Sequence, residues 1–363
     1  MNDSAQMQLI QFSGERVSKI FEKNEDNGKS VQLMKVLGEI PLELEDNSYL
    51  SIFRESERSI HNISLYPCKF IPELPKWAIK KFSNKGDIIL DPFVGSGTTF
   101  VESILLGRNC LGIDYNPYAR LVSKVKSTLI DPKLIKSEYL QILRNLNEDK
   151  TSALKPTFKG IDFWFNQQVI TTLSRLKKQI SLIDNSNLRD FFNVAFSMTV
   201  RKTSYIAPGQ ILTAKRKDWR EIKQLNEKDT LNLFEQICTE YISYFENFYK
   251  TADKTTYAKI IGIDAREIYL PSEVNSVDLI VTSPPYINAM DYVWGNRLRL
   301  HWLDLVKNDE DRLNLYNYEI GTERILRKEY EIIGKTGIPK IDKKLRTFII
   351  IIIQILKVNF DRG

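Results

Sequence analysis

Two stretches of the 363-residue chain carry residue types whose spacing suits chemistry at the edge of an α/β sheet. The first, Ile88-Ile-Leu-Asp-Pro-Phe-Val-Gly-Ser-Gly-Thr-Thr99, is a short apolar run that breaks into a glycine-rich turn and then into helix-like sequence. The second, Val277-Asp-Leu-Ile-Val-Thr-Ser-Pro-Pro-Tyr286, is another buried-strand pattern, ending in a proline pair and an aromatic. Open parallel sheets bind ligands at the carboxyl ends of their strands, so the two stretches point to a cofactor site and a reaction site side by side. The glycine turn is not a phosphate-binding P-loop, because Thr98 stands where a lysine is required. It is not a dinucleotide fingerprint either, because Phe100 fills the place of the third small residue. What remains is a tight turn at a helix amino end, suited to a small ligand with a carboxylate, and Asp91 adds an anion for an α-ammonium. The ligand expected there is an amino acid derivative.

With the strand-like Cys110-Leu-Gly-Ile-Asp114 following, these residues resemble the S-adenosylmethionine-dependent DNA methyltransferases that modify exocyclic amino groups. Asp91-Pro-Phe-Val-Gly-Ser-Gly-Thr-Thr99 is close to that family's cofactor motif. Thr282-Ser-Pro-Pro-Tyr286 is similar to its catalytic motif, in the form most often associated with cytosine N4. The resemblance covers residues 61–130 and 257–325 and is faint between them. It implies S-adenosyl-L-methionine as cofactor, bound by Asp91, Phe93, Gly95, Gly97 and Thr98, with Phe70 packing over the methionine end. Asp114 is the expected partner of the ribose hydroxyls, since an ionised carboxylate accepts two hydrogen bonds from a vicinal diol. Asp264 is the expected acceptor for the adenine amino group.

For the reaction, the resemblance implies that Ser283, Pro284, Pro285 and Tyr286 act together. A conjugated amino nitrogen is a poor nucleophile because its lone pair is delocalised into the ring. Ser283 Oγ and the Pro284 carbonyl can accept its two hydrogens and localise that pair, with the prolines holding the carbonyl in place. Tyr286 offers a face on which a flipped base can stack. The expected partner is therefore double-stranded DNA with its target base extruded, in a restriction-modification setting with a cognate restriction enzyme. Adenine N6 is the nearest rival, RNA guanine N2 is further off, and a catalytically dead nucleic-acid-binding remnant is the rival from another class. Cys68 after Pro67 suggests the cytosine C5 chemistry of a cysteine nucleophile, but it lies upstream of the cofactor turn, where that nucleophile does not belong.

These residues need a scaffold. The fold expected is α/β, a Rossmann-like methyltransferase with a mainly parallel doubly wound sheet, a large helical insertion, and a C-terminal part short of strands. Residues 1–60 read as a loosely structured lead-in with some helix, 61–129 as the cofactor half, 130–256 as a helical insertion for target recognition, and 257–363 as the catalytic half. Within the insertion, Arg201, Lys202, Lys215, Arg216, Lys217, Arg220 and Lys223 oppose only Asp218 and Glu221. Lys215, Arg216, Lys217 and Trp219 are the expected nucleic-acid contacts, as cations interleaved with flat rings suit a backbone and an unstacked base.

Composition constrains the rest. Hydrophobic residues make up 42% and charged ones 27%, ordinary for a globular protein, and the net charge of +6 allows a nucleic-acid partner. Cys68, Cys110 and Cys238 are too sparse for a disulfide framework or a zinc site. The start Met1-Asn-Asp-Ser4 lacks a basic and apolar leader, and Phe348–Ile353 falls far short of the ~20 apolar residues of a membrane span. A cytoplasmic location is expected. Tyr318-Glu-Ile-Gly-Thr-Glu-Arg-Ile325 reads as an ordered turn near the site.

Overall fold

In the computed structural model the described residues are 59–320, apart from 152–154, 157, 275 and 286–289, together with 8–12, 15–22, 31–37, 39–43 and 48–53. Tyr286 and the apolar run Phe348–Ile353 thus lie outside the described residues.

Where the sequence reading expects a loose lead-in with some helix, the chain forms a four-stranded sheet. Strands β1 (Gln8–Phe12), β2 (Glu15–Glu22), β3 (Val31–Leu37) and β4 (Ser48–Phe53) pair in that order. The first two pairings are antiparallel and the β3–β4 pairing is parallel. In the first of these pairings Phe12 opposes Glu15. Charged residues interleave with Val17, Ile20 and Phe21 in β2, which is why its composition conceals a strand.

The second sheet positions the site. It comprises β5 (Ile88–Asp91), β6 (Asn109–Ile113), β7 (Ala258–Gly262) and β8 (Leu279–Ile280), in the order β7-β6-β5-β8 with every neighbouring pair parallel. Parallel neighbours require crossover connections, and helices supply them. α1 (Glu73–Phe82) leads into β5, α2 (Thr98–Leu105) joins β5 to β6, and α3 (Pro117–Ser127) leaves β6. Ile79 of α1 and Phe100 of α2 pack with Ile89, Cys110 and Val281 on one face of the sheet. Leu90 and Leu111 point to the other face, where Val274 and Val277 meet them. This is the expected α/β architecture.

Phe100 explains why the dinucleotide pattern fails. A Cβ added to Gly112 of β6 would lie 2.5 Å from Phe100 Cζ, so the glycine has been placed in the strand to admit a large ring from the helix.

Between β6 and β7 lie α4 (Pro132–Glu148), α5 (Ile161–Trp164), α6 (Gln167–Ser181), α7 (Ser186–Thr203) and α8 (Glu227–Thr251), the helical insertion that the apolar spacing indicates. The side chains of Asp131, Asn166, Asn185 and Asn226 cap α4, α6, α7 and α8 by accepting backbone N–H groups of the first turn. Their apolar stripes, including Leu173, Phe191, Phe196 and Phe245, form one cluster with Tyr118 and Val122 of α3. The insertion is therefore packed on the sheet's own helix. After β8 come α9 (Tyr292–Gly295), α10 (Arg297–Trp302) and α11 (Asp309–Asn314). No helix among the described residues is long and apolar enough to cross a membrane.

Candidate functional site

β5 and β8 end beside each other, and their last polar residues meet. Asp91, buried at the end of β5, accepts hydrogen bonds from Thr282 Oγ1 (2.7 Å) and the Phe93 N–H (3.1 Å) on Oδ1, and from Thr99 Oγ1 (2.6 Å) on Oδ2. The glycine motif and the Ser-Pro-Pro motif are thereby joined through one carboxylate. Burial raises the affinity of Asp91 for its proton, and the three donors oppose that shift.

The turn after Asp91 is tighter than its sequence suggests. The amides of Phe93, Val94, Gly95 and Gly97 are all satisfied inside the protein, by Asp91, the Ile113 carbonyl, Asp114 and the Val94 carbonyl. The first turn of α2 adds N–H groups that have no partner within the helix. Gly95 and Gly97 both have positive φ, 51° and 83°. At Gly97 a Cβ would come within 2.7 Å of Ser123 Cα, so this glycine lets the turn approach α3 and does not itself face the cleft.

A cleft opens over the turn. Phe70, Asp91, Phe93, Gly95, Thr98, Asp114, Ser283 and Pro285 all line it. Asp114 is half-buried, with Oδ2 accepting from the Gly95 N–H (2.9 Å) and Oδ1 from the Asn116 N–H (2.8 Å). Burial pushes its carboxyl up to about 6, with the two N–H groups and the Arg120 guanidinium pulling against that rise. One wall is aromatic: Tyr66 stacks between Tyr118 and Tyr292, at centroid distances of 6.5 and 6.3 Å. Glu319, buried, closes the same wall, accepting from the Tyr115 hydroxyl (2.8 Å) and the Tyr292 N–H (3.3 Å).

Two expected residues stand differently. Pro284 is exposed while its neighbours Ser283 and Pro285 line the cleft. Asp264 gives both oxygens to Arg266, at 2.7 to 3.1 Å, and this ion pair lowers its affinity for a proton. Ile263 and Ala265, on either side of it, are the cleft-lining residues of that segment. Sequence reasoning did not name Tyr66, Lys69, Tyr115 or Glu319 as site residues. Tyr115 is adjacent to Asp114 and Glu319 lies in the segment that begins at Tyr318, but neither carries a local signal of its own.

The basic loop follows α7, and its cations are unequal. Lys215 Nζ sits over the rings of Trp219 (3.4 Å), Phe163 (3.8 Å) and Tyr205 (5.1 Å), and burial lowers its pKa. Arg216 is held by Asp218 through two bonds of 2.7 and 2.6 Å. Lys217 and Arg220 are exposed. The loop is tied to the segment after the reaction motif: Thr213 Oγ1 donates to the Trp294 carbonyl (2.8 Å), and Trp294 Nε1 donates back to the Thr213 carbonyl (3.1 Å).

Comparison with known proteins agrees with this architecture. A family profile described as DNA methylase, of the N6/N4 type, matches residues 8–124. The Type II methyltransferase M.MvaI of Kocuria varians is 31% identical over 289 residues, covering 74% of this chain and 63% of that protein. M.BsoBI of Geobacillus stearothermophilus is 26% identical over 273 residues, 68% of this chain and 53% of the relative. M.MjaII of Methanocaldococcus jannaschii is 40% identical over 95 residues, 26% and 18% of the two chains. The chain spans less than two thirds of the length of each of these relatives. With the parallel sheet, the glycine turn and the Ser-Pro-Pro strand end in one cleft, these matches support a DNA amino-methyltransferase of the N4/N6 type.

Proposed function

We propose that the chain transfers a methyl group from S-adenosyl-L-methionine to the exocyclic N4 of cytosine in double-stranded DNA, as the protective partner of a restriction enzyme. The observation that carries this reading is the Asp91 bridge, which holds Ser283 in the same cleft as the glycine turn. The residues fit the cofactor's chemistry: Asp91 offers an anion for its ammonium, Asp114 two oxygens for its ribose diol, and Phe70 and Phe93 apolar walls. When bound, the sulfonium supplies an electrophilic methyl group.

In this reading Ser283 Oγ and the Pro284 carbonyl accept the hydrogens of the target amino group and turn its lone pair toward the cleft. The nitrogen would then take the methyl that a bound cofactor supplies and release one of its protons to solvent water. Tyr286 stacks on the extruded base. The serine at position 283 favours cytosine over adenine. Lys217, Arg220 and Trp219, on the loop tied to Trp294, are the proposed DNA contacts, while Lys215 keeps the loop's aromatic face in shape.

The test is to incubate the purified chain with methyl-labelled cofactor and duplex DNA, digest the product and identify the modified nucleoside by mass spectrometry. N4-methylcytosine is the expected product. N6-methyladenine would transfer the assignment to adenine, and cofactor binding with no methyl incorporated into DNA would make the chain a non-catalytic binder.

A further inference from the structure

The cleft carries three carboxylates, those of Asp91, Asp114 and Glu319, and one lysine, Lys69. Lys69 turns its ammonium toward the carbonyls of His61 (3.1 Å) and Ser64 (2.5 Å). Among the described lining residues, acids therefore outnumber bases three to one. Such a wall stabilises a ligand cation and loses that stabilisation when the cation is neutralised.

Among the three, Asp91 is bound by three protein donors and Asp114 by two backbone N–H groups, and the proposed function already gives both a task. Glu319 has none. It is brought to the cleft from far along the chain and is only 7% exposed, with its carboxylate aimed by the Tyr115 hydroxyl and the Tyr292 N–H. The hydroxyls of Tyr66 and Tyr115 are both made harder to ionise, first by burial and then by the neighbouring charges of Asp114 and Glu319, which places these two carboxylates around the same aromatic wall. Tyr115 directly follows Asp114, so one dipeptide fixes both acids.

We propose that Glu319 is a cofactor-binding residue whose negative charge separates the cationic methyl donor from its neutral thioether product. The inference rests on reading the cleft as the S-adenosylmethionine site. Methyl transfer removes the ligand's sulfonium charge, so the wall that retains the donor holds the product less strongly and product exchange is favoured.

Calorimetric titration with S-adenosylmethionine and with S-adenosylhomocysteine tests this without a turnover assay. In Glu319→Gln the donor's affinity should fall about tenfold while the product's changes little, so that the preference for donor over product shrinks. Tyr115→Phe removes one aiming hydrogen bond and keeps the charge, and should leave the preference near that of the wild type. Equal weakening of both ligands in Glu319→Gln, or an unchanged preference, overturns the proposal and assigns Glu319 to structure alone. The wild type gives a second test that does not depend on the variant folding. An analogue with an amine in place of the methylsulfonium should bind more tightly than the thioether, and equal affinities overturn the proposal. A wild type that binds none of these ligands refutes the cofactor reading itself, which separates the two failures.

Discussion

Thr282 Oγ1 donates to Asp91 Oδ1 at 2.7 Å, across two neighbouring parallel strands. Thr282→Val removes one of three donors from a buried carboxylate, and the expected loss is ~1–3 kcal/mol of stability. Asp91→Asn weakens the same contact, so the double variant should lose less than the sum of the singles. Chemical denaturation of all four proteins measures that coupling. Strict additivity would mean that the bond seen between these residues does not contribute.

Ser283→Ala and Tyr286→Ala should each lower methyl transfer while leaving cofactor affinity close to wild type. Loss of one aligned acceptor typically costs on the order of a hundredfold in rate. Single-turnover measurements on DNA, paired with cofactor titration, read the two effects separately. If both variants methylate at the wild-type rate, the Ser-Pro-Pro strand end is not the reaction site.

Asp114 sets a pH dependence with opposite signs for binding and for stability. Its carboxyl is raised to about 6, so lowering the pH from 7.5 to about 5 protonates it in the folded chain and should weaken the cofactor's ribose contact. For stability, a raised carboxyl contributes most below its unfolded value and loses that contribution as the pH climbs through the folded one. Cofactor affinity should therefore fall with acidity in a range where this group's contribution to stability grows. In Asp114→Asn the affinity should be weaker throughout and flat between those pH values. A slope that persists in the variant would assign the titration to another group.

The basic loop makes an unequal prediction for its cations. Lys217→Ala and Arg220→Ala should each reduce the salt dependence of DNA binding by about 0.9 in slope, the effect of one lost phosphate contact. Arg216→Ala should change it less, because Asp218 already holds that guanidinium. Binding titrations at several salt concentrations give these slopes. Equal slopes in all three variants and the wild type would return the loop to a solvated surface.

Gly112→Ala puts a methyl group into the space of Phe100. Overpacking of this kind typically costs ~1–3 kcal/mol. Adding Phe100→Leu should recover part of the loss, as measured by thermal unfolding.

The parts of this protein that could be read from its sequence are those encoded by neighbouring residues. Asp91, the glycine turn and Asp114 sit within one strand-turn-helix-strand unit, so their types and spacing already imply their positions. The helices of the insertion were visible for the same reason, through spacings such as Val169, Leu173, Leu176 and Ile180. Glu319 was not visible as a site residue, because only tertiary packing brings it to Tyr115. Asp264 shows the converse: it occupies the expected place, yet Arg266 two residues later takes up its carboxylate. Strand β2 was hidden by interleaved charges, and Lys215 by its rings, since a count of cations cannot tell a solvated ammonium from one enclosed by Phe163 and Trp219.

The sheet order also fixes when the cleft can exist. Asp91 and Thr282 are 191 residues apart in the chain, and Tyr115 and Glu319 are 204 apart. A ribosome adding ~5–20 residues per second needs roughly 10 to 40 s to cover such a span. Throughout that interval the emerged glycine turn lacks both its Ser-Pro-Pro neighbour and its glutamate wall. Nascent chains stalled before residue 282 should therefore retain no cofactor, however well their first strands have folded.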